Sequence, residues 1–174
     1  MNCDIPFAIH CKVIKATPAD VQKAFHDLNR DMNPEFIHVF LDKLERYAKK
    51  PDRALFLVEY LEKTIAFATI INKSPPPETF PPQSFSNISA YACGTGLMVM
   101  EEYRRKGVAS LLVETWENWA TEHNIQGLWV ITHKMSHWYQ ANFHFELLGN
   151  TNLKGVKKSV LSKTFQPRHN YKRR

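Results

Sequence analysis

The chain has 174 residues, 44% of them hydrophobic, and a formal net charge of +6 at pH 7. A chain of this length buries about 70% of its unfolded surface, so one compact domain needs neither disulfide nor metal to hold it. Cys3, Cys11 and Cys93 are scattered with no Cys-x-x-Cys spacing and read as reduced thiols, while no apolar run is long enough to cross a bilayer and Met1 to Ala16 lacks the apolar core of an export signal. A cytoplasmic protein that does not enter membranes is the expectation.

Phe7 to Thr17 reads as a first strand. Thr17-Pro18-Ala19-Asp20 then supplies an N-cap, a first-turn proline and an acidic N3 residue for a helix to about Asn29. Asn33-Pro34 opens a second helix, on which Phe36, Phe40, Leu44 and Tyr47 recur at helical spacing before Lys49-Lys50-Pro51. Ala54 to Lys73 is a two-stranded hairpin. Ser74 to Asn87 holds five of the ten prolines and is a long semi-rigid loop.

Ser89 to Met100 is the fourth strand, and Val108 to Asn124 a helix with Leu111, Leu112, Trp116 and Trp119 inward. Gly127 to His133 is a buried fifth strand. The fourth helix carries Trp138, Ala141, Phe145 and Leu148 on its inner face and stops at Gly149, and Val160 to Phe165 pairs as a last strand after a Lys154-Gly155 turn. No repeat and no second domain is evident, giving one domain over 1–166 and a basic tail over 167–174. Arg168, Lys172, Arg173 and Arg174 place four positive charges in that tail, which has no apolar periodicity. Nucleic-acid binding would call for basic residues interleaved with aromatics along an element, and only Tyr171 offers that, so nucleic acid is not the expected partner.

Leu97 to Leu112 joins an apolar strand to an amphipathic helix through Arg104-Arg105-Lys106-Gly107. The first helical turn leaves N–H groups unpartnered, the helix dipole adds positive character, and Gly107 lets an anion approach the backbone, so the junction suits phosphate. Arg104-x-x-Gly107-x-Ala109 resembles the Gln/Arg-x-x-Gly-x-Gly/Ala signature of the GNAT superfamily of acyl-CoA-dependent N-acetyltransferases. Ala141 to Gly149 is similar to the family's later Ala-x-x-Phe-Tyr-Glu-x-Leu-Gly segment. Leu57-Val58-Glu59 followed by Ile65-Ala66-Phe67-Ala68 resembles its hairpin of strands two and three.

The resemblance implies a mixed α/β sheet in the order β-α-α-β-β-β-α-β-α-β with splayed central strands. It implies acetyl-CoA as the acyl donor, held by the backbone of Leu97, Met98 and Val99 and by Arg104, Arg105, Lys106, Gly107, Val108, Ala109 and Ser110. It also implies an amine acceptor, on a small molecule or on a protein or peptide; the oligomeric state, a homodimer included, is open. Helices one and two and the Pro-rich loop would wall the acceptor site.

An ammonium of pKa near 10 must lose a proton before it attacks a thioester, so a base is needed. Where the family often has a glutamate on strand four, this chain has Cys93, which reads as a small buried hydrophobe. His133, at the end of strand five, and Glu59, acting through water, are the candidates. The family's leaving-thiolate acid, a tyrosine, is Phe145 here, which cannot donate; Tyr139, His144 or water would take the role. His133 and His137 straddle a turn and predict no metal site. With no convincing nucleophile, direct attack in a ternary complex is expected. A non-catalytic acyl-CoA sensor and a basic nucleic-acid or ribosome-associated module are the alternatives.

Overall fold

The computed structural model describes residues 7–31, 37–73 and 90–165. The element order is β1 (Lys12–Lys15), α1 (Pro18–Leu28), α2 (Ile37–Lys49), β2 (Arg53–Tyr60), β3 (Lys63–Ile71), β4 (Ala92–Val99), α3 (Val108–Glu122), β5 (Gly127–Thr132), α4 (Ser136–Phe143), β6 (Glu146–Leu153) and β7 (Val156–Thr164). The architecture is mixed α/β. The start of the second helix at Asn33-Pro34, the Pro-rich loop and the basic tail lie outside the described residues. No helix among the described residues is long and apolar enough to cross a membrane.

The contacts divide the chain into two compact units, Met1–Ile71 with Gly94–Asn118, and Asn72–Cys93 with Trp119–Arg174. In the first, β1, β2 and β3 are antiparallel neighbours and β4 follows β3 in strand order. Leu61 and Glu62 both take positive φ, 48° and 62°, so the β2–β3 turn is the tight two-residue kind whose twist suits a hairpin. The core joins Val21, Ala24 and Leu28 of α1 to Leu44 and Tyr47 of α2, Leu55, Leu57 and Phe67 of the hairpin, and Met100. Asp20 accepts hydrogen bonds from the Thr17 amide (2.8 Å) and hydroxyl (2.7 Å) at the start of α1, which holds its carboxyl below the usual range.

In the second unit β7 lies between β5 and β6, antiparallel to both. Tyr91, Cys93, Trp129 and Val160 form a buried cluster with Ile131 and Leu148 against it. Lys154 (φ 52°) and Gly155 (φ 78°) make the turn that pairs Leu153 with Val156.

Two expected elements differ. The first strand does not begin at Phe7: Phe7–His10 is a 3-10 turn, because the Phe7 ring packs on Tyr60 (4.6 Å between centroids) and Tyr103 (5.9 Å) and folds the chain over before Lys12. The fourth helix does not run to Gly149. His144 takes φ 57° and donates its N–H to Gln140, ending α4 five residues earlier than expected, and Glu146–Leu153 becomes a seventh strand paired with β7. Tyr139 and Phe143, four residues apart, are the buried pair on α4, whereas Ala141 is exposed. On α3 it is Val113 that is fully buried beside Leu112, Leu111 being half-buried.

Candidate active site

β4 carries Leu97 and Met98 half-buried and Val99 buried into the turn Glu101–Tyr103. Arg104 donates from Nε to the Val99 carbonyl (3.0 Å), tying the basic turn to the strand end. Arg105 (φ 60°) and Gly107 (φ 83°) then reverse the chain into α3, and the Gly107 carbonyl accepts the first helical bond from Leu111 N–H at 3.1 Å. The amides of Gly107, Val108, Ala109 and Ser110 therefore have no acceptor within the helix. A Cβ at Gly107 would stand 3.3 Å from Ala8 Cβ on a backbone that L side chains rarely adopt, so this turn requires its glycine.

Arg104, Arg105 and Lys106 are all exposed. The Lys106 ammonium sits over Phe7 (5.1 Å to the centroid) and Tyr103 (5.5 Å), so its direct contact is aromatic while its charge still adds to the local field. The adjacent acid is neutralised elsewhere. Glu102 binds Lys63 (3.2 Å) and Arg30 (2.9 Å), and the hydrogen bond from Lys63, ahead of that from Arg30, holds its carboxyl below the usual range. Four amides at a helix start with flanking guanidinium groups are the donor set that a pyrophosphate takes.

Glu59 follows a bulge in β2 and lies 3.7 Å from Lys23 Nζ of α1. In the same unit, a polar cluster that the sequence did not signal joins α2 to β3 and β4. Tyr47 Oη is 2.6 Å from Thr95 Oγ1, which is 3.0 Å from Thr69 Oγ1, and Thr69 is fully buried. From spacing, Tyr47 reads only as an inner position of an amphipathic helix.

The remaining candidates belong to the second unit. His133 is exposed, and its Nδ1 lies 3.0 Å from the Lys157 carbonyl oxygen, which can only accept; Nδ1 therefore carries the hydrogen and, in the neutral ring, Nε2 keeps the lone pair. Tyr139 is buried in edge contact with Trp138 (4.9 Å) and packed on Phe145 (5.3 Å), and burial pushes its phenol well above the ordinary value of 10.0. Its proton stays in place at neutral pH. Phe145 is buried and His144 is exposed at the helix end. Cys93 is buried in the aromatic cluster with Tyr91 and Trp129.

A family model described as the acetyltransferase (GNAT) family matches residues 21–145. No curated protein matches the chain. Among solved structures, an acetyltransferase from Thermus thermophilus aligns with a TM-score of 0.66 at 13% identity, covering 91% of this chain and 99% of that one. A GNAT-family acetyltransferase from Streptococcus pneumoniae aligns at 0.61 and 18% identity, covering 90% and 99%. PaiA N-acetyltransferase from Thermoplasma acidophilum, solved with coenzyme A, aligns at 0.61 and 13% identity, covering 89% and 99%.

Proposed function

Because the chain belongs to the GNAT acetyltransferase family, we propose that it transfers an acetyl group from acetyl-CoA to a primary amine, by direct attack of the amine in a ternary complex. The observation that carries this reading is the β4–α3 junction: Gly107 at φ 83°, four helix-start amides, and Arg104 braced on Val99. The amides of Gly107 to Ser110, with Arg104 and Arg105, would hold the pyrophosphate, and Lys106 would strengthen the field. The backbone of Leu97, Met98 and Val99 would pair with the pantetheine arm. The bound donor supplies an acyl thioester.

Of the two candidate bases we assign the role to His133. Lys157 fixes its tautomer with Nε2 as the acceptor, while Glu59 is occupied by Lys23. Tyr139, the phenol of α4, is assigned as the donor to the leaving sulfur. Cys93 packs in the core and has no part in a covalent relay.

The test is calorimetry with CoA followed by thiol release from acetyl-CoA against a panel of amines. Micromolar affinity, about 8 kcal/mol, with turnover of at least one amine is the expected result. No CoA binding by folded protein overturns the assignment. Binding without acetylation of any amine would favour the acyl-CoA sensor, a reading that the phenyl ring of Phe145 supports by removing one hydroxyl from α4's surroundings.

A further inference from the structure

The Phe7–His10 turn lies against the loop that leads into α3. A Cβ built on Gly107 would stand 3.3 Å from Ala8 Cβ, so Ala8 backs the side of Gly107 on which an L residue would carry its side chain. One residue earlier on each segment, the Lys106 ammonium sits over the Phe7 ring, 5.1 Å from its centroid. Two successive residues of the turn thus meet two successive residues of the loop. The seat under Lys106 is made of half-buried rings: Phe7 packs on Tyr60 of β2 (4.6 Å) and Tyr103 (5.9 Å), and the two tyrosines meet edge to face at 6.2 Å. The turn is closed on itself, because the Cys11 amide donates to the Ala8 carbonyl at 3.1 Å.

We propose that Phe7 is a positioning residue for the acyl donor: its ring, with that of Tyr103, holds the Lys106 ammonium near the helix-start amides before the pyrophosphate arrives. The proposal rests on the reading above, in which the amides of Gly107 to Ser110 hold that pyrophosphate. Lys106 immediately precedes Gly107, so its charge stays within one side-chain length of the first of those amides. A lysine free in solvent populates many rotamers and loses that freedom when it meets an anion. Aromatic faces that already attract the ammonium restrict those rotamers in advance, so less is lost on binding. The contact also leaves the charge intact, since a π face attracts a cation without neutralising it as a carboxylate would. Glu102, one helical turn before Lys106 in sequence, is held by Lys63 and Arg30 instead.

The experiment measures CoA affinity by calorimetry, and KM and kcat for acetyl-CoA by thiol release, in the wild type, Phe7→Leu, Phe7→Tyr, Lys106→Gln and the Phe7→Leu, Lys106→Gln pair. Phe7→Leu keeps an apolar contact with Tyr60 but removes the π face. It should weaken CoA about 2- to 5-fold, the worth of a cation–π contact at an exposed site, and raise KM by the same factor with kcat held. Phe7→Tyr should restore affinity. Lys106→Gln should weaken CoA at least as much as Phe7→Leu, and adding Phe7→Leu to it should cost nothing further. Should Phe7→Leu fail to fold, Tyr103→Leu, which removes the other ring under Lys106, takes its place in the same cycle. Wild-type affinity in the folded ring variant or in Lys106→Gln, a loss in Phe7→Tyr equal to that in Phe7→Leu, or a ring-variant loss that persists undiminished in the Lys106→Gln background would overturn this inference and leave the acetyltransferase reading standing. No CoA binding by the folded wild type would remove both.

Discussion

At the β4–α3 junction the chain presents consecutive backbone amides, the donors proposed for a pyrophosphate, whereas between β5 and β6 the proposed catalytic groups are side chains. The junction's donors are amides of consecutive residues, fixed by one helix start and one glycine, so the site is local. The β5–β6 stretch holds His133 and Tyr139, and each is set by something remote. His133 takes its tautomer from Lys157, 24 residues away, and α4 stops where β6 is drawn into pairing with β7. A backbone site tolerates most side-chain changes and fails at its glycine; a side-chain site fails wherever the remote partner moves.

The most severe way to break this contrast is Gly107→Glu, which puts a carboxylate and a crowded Cβ into the proposed anion site. CoA affinity should fall by at least about 100-fold, or 2.7 kcal/mol, in folded protein measured by calorimetry. Gly107→Ala separates the carboxylate from the backbone, because it adds the Cβ beside Ala8 and the strain of a positive φ, about 1 kcal/mol, without the charge. Equal affinity in Gly107→Glu would show that phosphate binds elsewhere.

For the side-chain region, His133→Ala should lower turnover on the order of 10²-fold and shift the pH–rate profile on its acidic limb, where a general base is protonated. Unchanged kinetics would transfer the role to water or Glu59. Packing around β4 sharpens the contrast at lower amplitude. A Cβ on Gly94 would stand 2.7 Å from the Trp116 ring, so Gly94→Ala should cost about 1 to 3 kcal/mol in urea unfolding. Cys93→Ala should cost a similar 1 to 3 kcal/mol with acetyl transfer retained. An acetyl group trapped on Cys93 would contradict the direct-attack mechanism.

The smallest effect concerns Tyr139. Its folded pKa is raised, so above pH 10.0 the unfolded phenol ionises while the native one keeps its proton, and stability is lost as pH rises. The wild type should lose about 1.4 kcal/mol per pH unit there relative to Tyr139→Phe, with no difference at pH 8. Parallel denaturation curves at both pH values would show the phenol to be exposed.

The sequence by itself determined whatever depends on neighbours within a few residues. Thr17-Pro18-Ala19-Asp20 specified the start of α1, Lys154-Gly155 specified a turn, and the apolar strand leading through Arg104 and Gly107 into α3 specified the β4–α3 junction. Each is a matter of caps, positive φ or a helix start. Tertiary structure decided the rest. Phe145 and Leu148 sit at helical spacing from Trp138 and Ala141, yet β7 offers a hydrogen-bonding edge that a longer α4 could not use, and His144 turns left-handed to meet it. Phe7 reads as a strand residue until Tyr60 and Tyr103 provide a place for its ring. Lys43, Tyr47, Thr69 and Thr95 are spread over three elements and carry no joint pattern in sequence; only the packing of α2 on β3 and β4 turns them into one polar cluster.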